Sequence, residues 1–211
     1  MADTEIGVPS APTEGLVSAE TLTPTTSTDG KWTSGIKGVV MNCPLDVTWD
    51  LFSDWGNWRW QTSSLLCEQR EGESRKPGSL RFLKYPDFWL FERILEVDNE
   101  KHILSYSIEE NSVFGGIKGF SGCIQFQESG DGKTMVEYWK FELEPVDNQT
   151  RESFCNFVSG HLELILAELE RGAKAHVSGL EFRPNQTDLQ INIENGKPPR
   201  GELPLSTDPC Q

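Results

Sequence analysis

The sequence predicts an α+β fold in which a curved antiparallel sheet of about seven strands wraps round a long C-terminal helix, with two short helices after strand 1. Six segments in the middle of the chain have strand patterns and are separated by turn-forming residues. One long stretch towards the C-terminal end repeats apolar residues at helical spacing. Because such a sheet must bury one face, we expect the long helix to cover it.

Composition divides the chain into three parts. Residues 1–30 contain five acidic residues, no Lys or Arg, and many Thr, Ser and Pro, which predicts a disordered acidic tail. Residues 31–176 hold the apolar patterns and form the predicted domain. Residues 177–211 are polar and rich in Pro and Asn, so a flexible C-terminal tail is expected.

The predicted domain begins with one strand and two short helices. The strand covers residues 31–41, and Pro44 follows at a favourable first helical position. The apolar face of the first short helix is formed by Leu45, Trp49 and Phe52. A second short helix is expected after Gly56, through Trp58 and Trp60.

Six more strands and the long helix complete the prediction. The strands lie at roughly 64–71, 78–84, 88–97, 101–109, 118–127 and 133–143. The breaks between them contain Gly, Pro, Asn and Asp, which favour turns. After Pro145, either Asp147 or Asn148 can cap the helix. Its inward stripe is predicted to be Phe154, Phe157, Val158, His161, Leu162, Ile165 and Leu169.

A predicted hairpin sets Arg81 opposite Glu92, because its turn is centred between Pro86 and Asp87. Opposed Cβ atoms of antiparallel strands lie about 4.5–5.5 Å apart, so the guanidinium and the carboxylate can meet in a bidentate pair. Burial raises the pKa of such a carboxyl group and the arginine lowers it. On the wall of an apolar cavity the pair is a candidate for proton transfer, and on the outer face it is an ordinary surface ion pair. Both faces of these strands are apolar, so the sequence pattern does not decide which face of the sheet carries the pair.

Charge and cysteine usage argue against several classes of function. The net charge of −14 disfavours nucleic acid and anionic membrane surfaces as partners. No apolar run reaches the ~18 residues that span a bilayer. The five cysteines form no CxxC motif and have no histidine at ligand spacing, so we expect no metal site and free thiols in a reducing, cytoplasmic compartment. Seven Trp and eleven Phe predict a large aromatic interior.

Several local motifs carry a family resemblance over about residues 31–172. They are Asp54-Trp55-Gly56-Asn57, Pro77-Gly78-Ser79-Leu80-Arg81, Trp89-Leu90-Phe91-Glu92, Ser105-Tyr106-Ser107 and Trp139. With the order of elements, they resemble the helix-grip fold of the START-like superfamily, also called birch-pollen-allergen-like or SRPBCC, which includes polyketide cyclases and plant hormone receptors. These motifs are most similar to those of the plant branch typified by lachrymatory factor synthase.

The resemblance implies an apolar cavity between sheet and helix, with Arg81 and Glu92 as a catalytic pair on its wall. A tyrosine of that branch aligns with Phe120, which has no hydroxyl, so a related proton transfer is expected rather than the same sulfenic-acid rearrangement. His161 is more often a hydrogen-bonded core residue than a second acid–base group. The implied substrate-binding residues are Phe120, Trp139, His161, Leu83, Leu90, Ile108 and Trp58.

The predicted function is that of a cofactor-independent lyase, isomerase or cyclase acting on a small, mostly apolar metabolite, polyketide-like or sulfenic-acid-like. The expected cavity has the roughly 300–1,000 Å³ of small-molecule sites. The alternatives are a non-catalytic binding or transport protein for a small hydrophobic ligand, and a chaperone that uses its acidic tails. The hormone-receptor interpretation is poor, because the loops 74–78 and 111–115 lack the expected gate and latch sequences. We expect a monomer or a homodimer.

Overall fold

The computed structural model describes residues 19–180, so the predictions for residues 1–18 and 181–211 lie outside the described residues. The strands are β1 (Glu20–Thr26), β2 (Trp32–Lys37), β3 (Val39–Met41), β4 (Leu66–Glu71), β5 (Leu80–Lys84), β6 (Trp89–Asp98), β7 (Ile103–Asn111), β8 (Ser121–Glu128) and β9 (Thr134–Leu143). The helices are α1 (Leu45–Ser53) and α2 (Arg151–Val177), and a single 3₁₀ turn covers Val113–Gly115.

The nine strands belong to one antiparallel sheet. From β4 to β9 each strand pairs with the next along the chain, and β2 and β3 then pair with β9 while β1 pairs with β2. The first strands therefore lie beside the last one, and β1 and β4 are the two edges. α2 packs against α1 and against the sheet near β1, β2 and β3. This is the predicted arrangement of a sheet around a long C-terminal helix.

The N-cap of the long helix lies two residues after the later of its two predicted caps. Thr150 is the N-cap, and its side chain accepts a hydrogen bond from the backbone N–H of Ser153. Asn148 instead has a positive φ of 60°, which places it in the preceding turn. Of the predicted stripe, Phe157 and His161 are partly exposed, and the buried members are Phe154, Val158, Leu162, Ile165 and Leu169.

The second short helix does not form, and this prediction was wrong. Trp55, Trp58 and Trp60 are all buried. Residues two apart on a helix do not share a face, so a helix would have turned Trp58 or Trp60 towards solvent. The segment instead makes a series of turns that fold back on α1. The indole N–H groups of Trp58 and Trp60 donate to the carbonyl oxygens of Phe52 (2.8 Å) and Leu51 (3.2 Å) near the end of that helix.

The sheet has two more strands than the seven or so predicted, and the domain begins earlier. The predicted first strand is divided at Gly38, where φ is +69°. β1 lies inside the segment predicted to be disordered, so the boundary at residue 31 was wrong. Its run of threonines suits a strand, because β-branched residues favour extended structure. Ser34 also ties it to β2 by donating to the carbonyl oxygen of Leu22 at 2.8 Å.

The aromatic interior predicted from composition is present. Phe52 lies at its centre, with the rings of Trp58 and Trp139 at centroid distances of 4.9 and 5.6 Å. Among residues 19–180 the cysteines are free thiols, namely Cys43, Cys67, Cys123 and Cys155. Between residues 19 and 180 no helix has the length and apolar character needed to cross a membrane.

Candidate functional site

The hairpin of β5 and β6 has the predicted register, with Arg81 directly opposite Glu92. The backbone N–H of Tyr85 donates to the carbonyl oxygen of Phe88 at 2.8 Å and closes the turn. Both members of the pair point inwards: Arg81 is 1% exposed and Glu92 is 7% exposed. On the other face of the same strands, Leu95 is 51% exposed. The pair is therefore buried beneath the sheet, as the family resemblance implied.

A β-bulge lies beside Glu92. The register between β6 and β7 shifts between Leu90 and Glu92, and again between Ile94 and Glu96. Bulges bend a strand and change the direction of its side chains, and they are frequent next to functional sites. The irregularity therefore helps to aim the carboxylate of Glu92.

The ion pair is not the symmetrical bidentate pair that was predicted. Arg81 Nε donates to Glu92 Oε2 at 2.7 Å, and Arg81 Nη2 donates to the same oxygen. Nη1 donates to the backbone oxygen of Trp55 at 3.2 Å. Within residues 19–180, no group donates a hydrogen bond to Glu92 Oε1. One carboxylate oxygen is thus held by the arginine and the other is left for a further partner.

Two tryptophans cover the guanidinium group. Arg81 Cζ lies 3.4 Å from the ring centroid of Trp55 and 3.5 Å from that of Trp58. A cation between two indole faces is attracted by both ring quadrupoles. With indole rings against it on two sides and Nε, Nη1 and Nη2 each bonded within the protein, Arg81 is in position to hold Glu92 rather than to bind a ligand.

A small cavity lies between the sheet and α2, with a volume of about 60 Å³. This is far below the predicted range and is room for only a few water molecules. The expectation of a large cavity was wrong because aromatic side chains fill most of the space. All the predicted site residues line the cavity, namely Arg81, Glu92, Phe120, Trp139, His161, Leu83, Leu90, Ile108 and Trp58. Their individual roles stay predictions.

Two tyrosines at the cavity were missed by the sequence analysis. Tyr106 Oη accepts a hydrogen bond from Trp139 Nε1 at 3.3 Å, and Tyr85 Oη accepts one from Gln61 Nε2 at 2.8 Å. An indole N–H can only donate, so the hydroxyl hydrogen of Tyr106 stays available to a ligand. Burial raises the pKa of both tyrosines, and the Glu92 carboxylate adds to the effect, so both keep their protons at neutral pH. Alternation along β7 would have revealed Tyr106, because it shares a face with Leu104.

The environment of Glu92 favours its neutral form. Burial raises the pKa of this carboxyl group, and the neighbouring Arg81 guanidinium lowers it only in part, so the net direction is upward. A carboxyl group with a raised pKa exchanges a proton more readily near neutral pH than an exposed one does. Glu92 is therefore suited to act as a general acid or base.

His161 faces the cavity from α2. Its ring packs edge-on against Tyr85 and Phe88, at centroid distances of 5.0 and 5.9 Å. No hydrogen bond to its ring is formed within the described part of the chain, so it is not the hydrogen-bonded core histidine that was the commoner expectation. Burial lowers the pKa of His161 to about 4, so the ring is neutral at pH 7.

Among residues 19–180, no group of three or more His, Cys, Asp or Glu side chains is arranged to hold a metal ion. The titratable groups on the cavity wall are Arg81, Glu92, His161, Tyr85 and Tyr106. The arrangement provides the carboxyl group of Glu92, the imidazole of His161, two tyrosine hydroxyl donors and an otherwise apolar wall.

Comparisons with known proteins agree with the fold. A sequence model of the family described as polyketide cyclase / dehydrase and lipid transport matches residues 37–174. MLP-like protein 31 of Arabidopsis thaliana is 30% identical over 97 residues, which cover 43% of this chain and 57% of that protein. The chain thus matches less than two thirds of the length of this relative.

Two solved structures are similar to the chain. Protein XoxI of Bacillus cereus has a TM-score of 0.56 and 19% identity, and covers 70% of this chain and 97% of its own. A structural-genomics protein of Nitrosospira multiformis has a TM-score of 0.53 and 18% identity, and covers 70% and 99%. At this identity they show the fold alone. The matches confirm the START-like superfamily and the helix-grip fold, and the narrower resemblance to lachrymatory factor synthase stays a prediction.

Proposed function

Because the chain belongs to the polyketide cyclase / dehydrase and lipid transport family, we propose that it is a cofactor-independent lyase, isomerase or cyclase that moves a proton on a small, mostly apolar metabolite. The observation that carries the proposal is the state of Glu92. This carboxyl group is buried, its pKa is raised, and its Oε1 has no donor in the described residues while Arg81 holds Oε2. A structural ion pair needs no such free oxygen beside a cavity.

Each polar group has a distinct part in the proposed reaction. Glu92 removes a proton from one atom of the substrate and returns it to another, so that the carboxyl group ends in its starting state. Tyr106 donates its hydroxyl hydrogen to a substrate oxygen that gains negative charge during the transfer. Arg81 does not touch the substrate, and it keeps the carboxylate in place. His161 is the second acid–base candidate, on the opposite wall.

The cavity also limits the substrate class. Its volume of about 60 Å³ suits a molecule of few heavy atoms. The lining is apolar apart from the five titratable groups, and its one permanent cation, Arg81, is committed to Glu92. An anionic substrate such as a carboxylate or phosphate would therefore meet no free positive charge. We expect a small neutral molecule with a hydroxyl, thiol or carbonyl group.

A non-catalytic carrier of a hydrophobic ligand is the second candidate. The apolar lining favours it, and the family description includes lipid transport. The small volume of the cavity argues against a carrier, because a lipid-sized ligand would require the aromatic side chains to move apart. A carrier would also leave the free oxygen of Glu92 without a purpose.

The test compares wild type with Glu92→Gln, which keeps the shape and removes the acid–base group. Both are incubated with a mixture of small neutral metabolites, and consumption and product formation are followed by liquid chromatography and mass spectrometry. We expect the wild type to turn over at least one compound and the variant to do so about 10²-fold more slowly or less. Glu109→Gln, on the outer face of the same sheet, is the matched control and should behave as wild type.

Two outcomes would contradict the proposal. Equal turnover by Glu92→Gln would show that the ion pair is structural. Tight retention of a compound by native mass spectrometry, without chemical change in any sample, would favour the carrier. Thermal unfolding of Glu92→Gln shows whether the variant is folded when it is assayed.

A further inference from the structure

We propose that Trp55 is a positioning residue that fixes Arg81 on Oε2 of Glu92, so that Oε1 is the oxygen offered to the ligand. The catalytic meaning of this assignment rests on the proposed function. The geometric part of the proposal is independent of that function, because it concerns only how the ion pair is held in the ligand-free protein.

Trp55 contacts both members of the pair in three separate ways. Its ring lies over the guanidinium, with Arg81 Cζ 3.4 Å from the ring centroid. Its backbone oxygen accepts a hydrogen bond from Arg81 Nη1 at 3.2 Å. Its indole N–H donates to the backbone oxygen of Glu92 at 3.4 Å. One residue therefore fixes the plane of the guanidinium, its rotation within that plane and its position relative to β6.

The placement of the guanidinium leaves one carboxylate oxygen without a donor. An arginine beside a carboxylate usually presents two donors to two oxygens. Here Nη1 is turned towards Trp55 O, and the remaining donors, Nε and Nη2, both meet Oε2. Without the Trp55 ring and its N–H, the guanidinium would be free to turn away from the carboxylate, and Glu92 would lose its close positive charge.

Neighbouring contacts hold Trp55 in turn. Trp58 lies against Arg81 from a second side, with Cζ 3.5 Å from its ring centroid, and the two indole rings meet nearly at right angles with centroids 5.2 Å apart. Before Trp55, Asp54 accepts a hydrogen bond from the Ser74 hydroxyl at 2.6 Å. The other titratable groups near Glu92 are Cys67 on β4, Tyr85 at the hairpin turn and Tyr106 on β7, with His161 on α2 lining the same cavity. None of these is a cation at neutral pH, so Arg81 is the one positive charge near Glu92 in the described residues.

The experiment titrates Glu92 by carbon NMR in ligand-free protein labelled at the glutamate carboxyl groups, with Glu92→Gln used for assignment. In Trp55→Leu the guanidinium is released, and we expect the Glu92 pKa to rise by about 1–3 pH units, the usual influence of a close opposite charge. Both variants keep the backbone oxygen of residue 55, but only Trp55→Phe keeps a ring face, so its Glu92 pKa should stay close to that of wild type. An unchanged or lowered pKa in Trp55→Leu would overturn the proposal.

Trp49→Leu is the matched control. Trp49 is also a buried tryptophan with a hydrogen-bonded indole, which donates to Asn99 Oδ1 at 3.0 Å, and its ring contacts are with His102 and Phe126. The Trp49→Leu variant should be less stable than wild type and should have an unchanged Glu92 pKa. An equal rise in this control would mean that loosening the core is sufficient, and that Trp55 has no special part.

A second measurement uses only the wild-type protein, so it does not depend on whether a variant folds. In wild type, nitrogen NMR should resolve separate Nη signals for Arg81, because its rotation is blocked, and averaged signals for the exposed Arg59. Averaged Nη signals for Arg81 would also overturn the proposal. Both measurements are made without ligand or turnover. If Glu92→Gln keeps activity, the proposed function fails while the role of Trp55 in holding Arg81 can still stand.

Discussion

β6 carries two arginine–glutamate clusters on opposite faces of the sheet, and they differ in the pKa of the carboxyl group. Glu92 points inwards to Arg81, and the next residue, Arg93, points outwards to Glu109 and Glu71. The side chains of Arg93 and Glu109 are 26% and 41% exposed. Arg93 donates to both oxygens of Glu109, and this hydrogen bonding lowers the pKa of Glu109. The pKa of Glu92 is raised although it too is paired.

The difference shows that pairing alone does not decide the chemistry of a carboxylate. On the outer face, water solvates Glu109 and the arginine adds to that stabilisation of the charge. On the inner face, the loss of water outweighs the arginine, so the neutral form of Glu92 gains. The inner pair is therefore the one that is suited to exchange a proton, and the outer cluster is a solvated ion pair.

The largest expected difference between the two faces is in stability. Arg81→Met leaves a buried carboxylate without its partner and should lower the free energy of unfolding by about 3–5 kcal/mol. Arg93→Met removes an exposed partner and should cost about 0–1 kcal/mol. Urea unfolding at pH 7 measures both. Equal losses would mean that burial does not separate the two pairs.

The next effect concerns the hydroxyl group of Tyr106 beside the inner pair. If it stabilises charge in the transition state, Tyr106→Phe should reduce turnover by about 10²-fold and leave folding intact. Tyr138→Phe, on the outer face of β9, is the control and should keep full activity. The kinetics of both variants, with the substrate found by the metabolite screen, decide the matter. Wild-type turnover by Tyr106→Phe would remove this residue from the mechanism.

A smaller effect is expected in the pH dependence of stability. The pKa of His161 is about 4 in the folded protein, below its ordinary value of 6.5, so the unfolded chain takes up the proton first as the pH falls. The stability that neutral His161 contributes is fully present above pH 6.5 and is lost between about 6.5 and 4. His161→Phe should therefore lose less stability than wild type between pH 7 and pH 4.5, by roughly 1–2 kcal/mol. Urea unfolding at the two pH values tests this, and identical pH dependence would contradict it.

The hairpin shows what local sequence can predict. The turn at Pro86 and Asp87 sets the pairing of β5 with β6, so the opposition of Arg81 and Glu92 follows from a few adjacent residues. The face on which they lie does not follow, since Phe82 and Phe91 make the other face equally apolar. The face that carries the pair depends on where α2 packs, and α2 lies far along the chain from the hairpin. The inward orientation was therefore predicted from the family resemblance and not from the local sequence.

The aromatic residues show where sequence analysis stops. Composition predicted a large aromatic interior, but the remaining free space depends on how side chains from several strands and α2 fit together. For that reason the cavity was expected to be several times larger than its 60 Å³. The stacking of Trp55 and Trp58 on Arg81 joins residues of a turn segment to a strand, and no local pattern indicates it. β1 was missed because its threonines also fit a disordered composition.

The central claim is that burial raises the pKa of Glu92 although the neighbouring Arg81 lowers it in part. The pKa of the exposed Glu109 is instead lowered by its hydrogen bonds with Arg93. Carbon NMR titration of the glutamate carboxyl groups in one sample of wild-type protein measures both, with Glu92→Gln and Glu109→Gln for assignment. The prediction is a pKa for Glu92 above the ordinary 4.5 and one for Glu109 below it. A Glu92 pKa at or below that of Glu109 would contradict the account, because the inner pair would then be an ordinary ion pair.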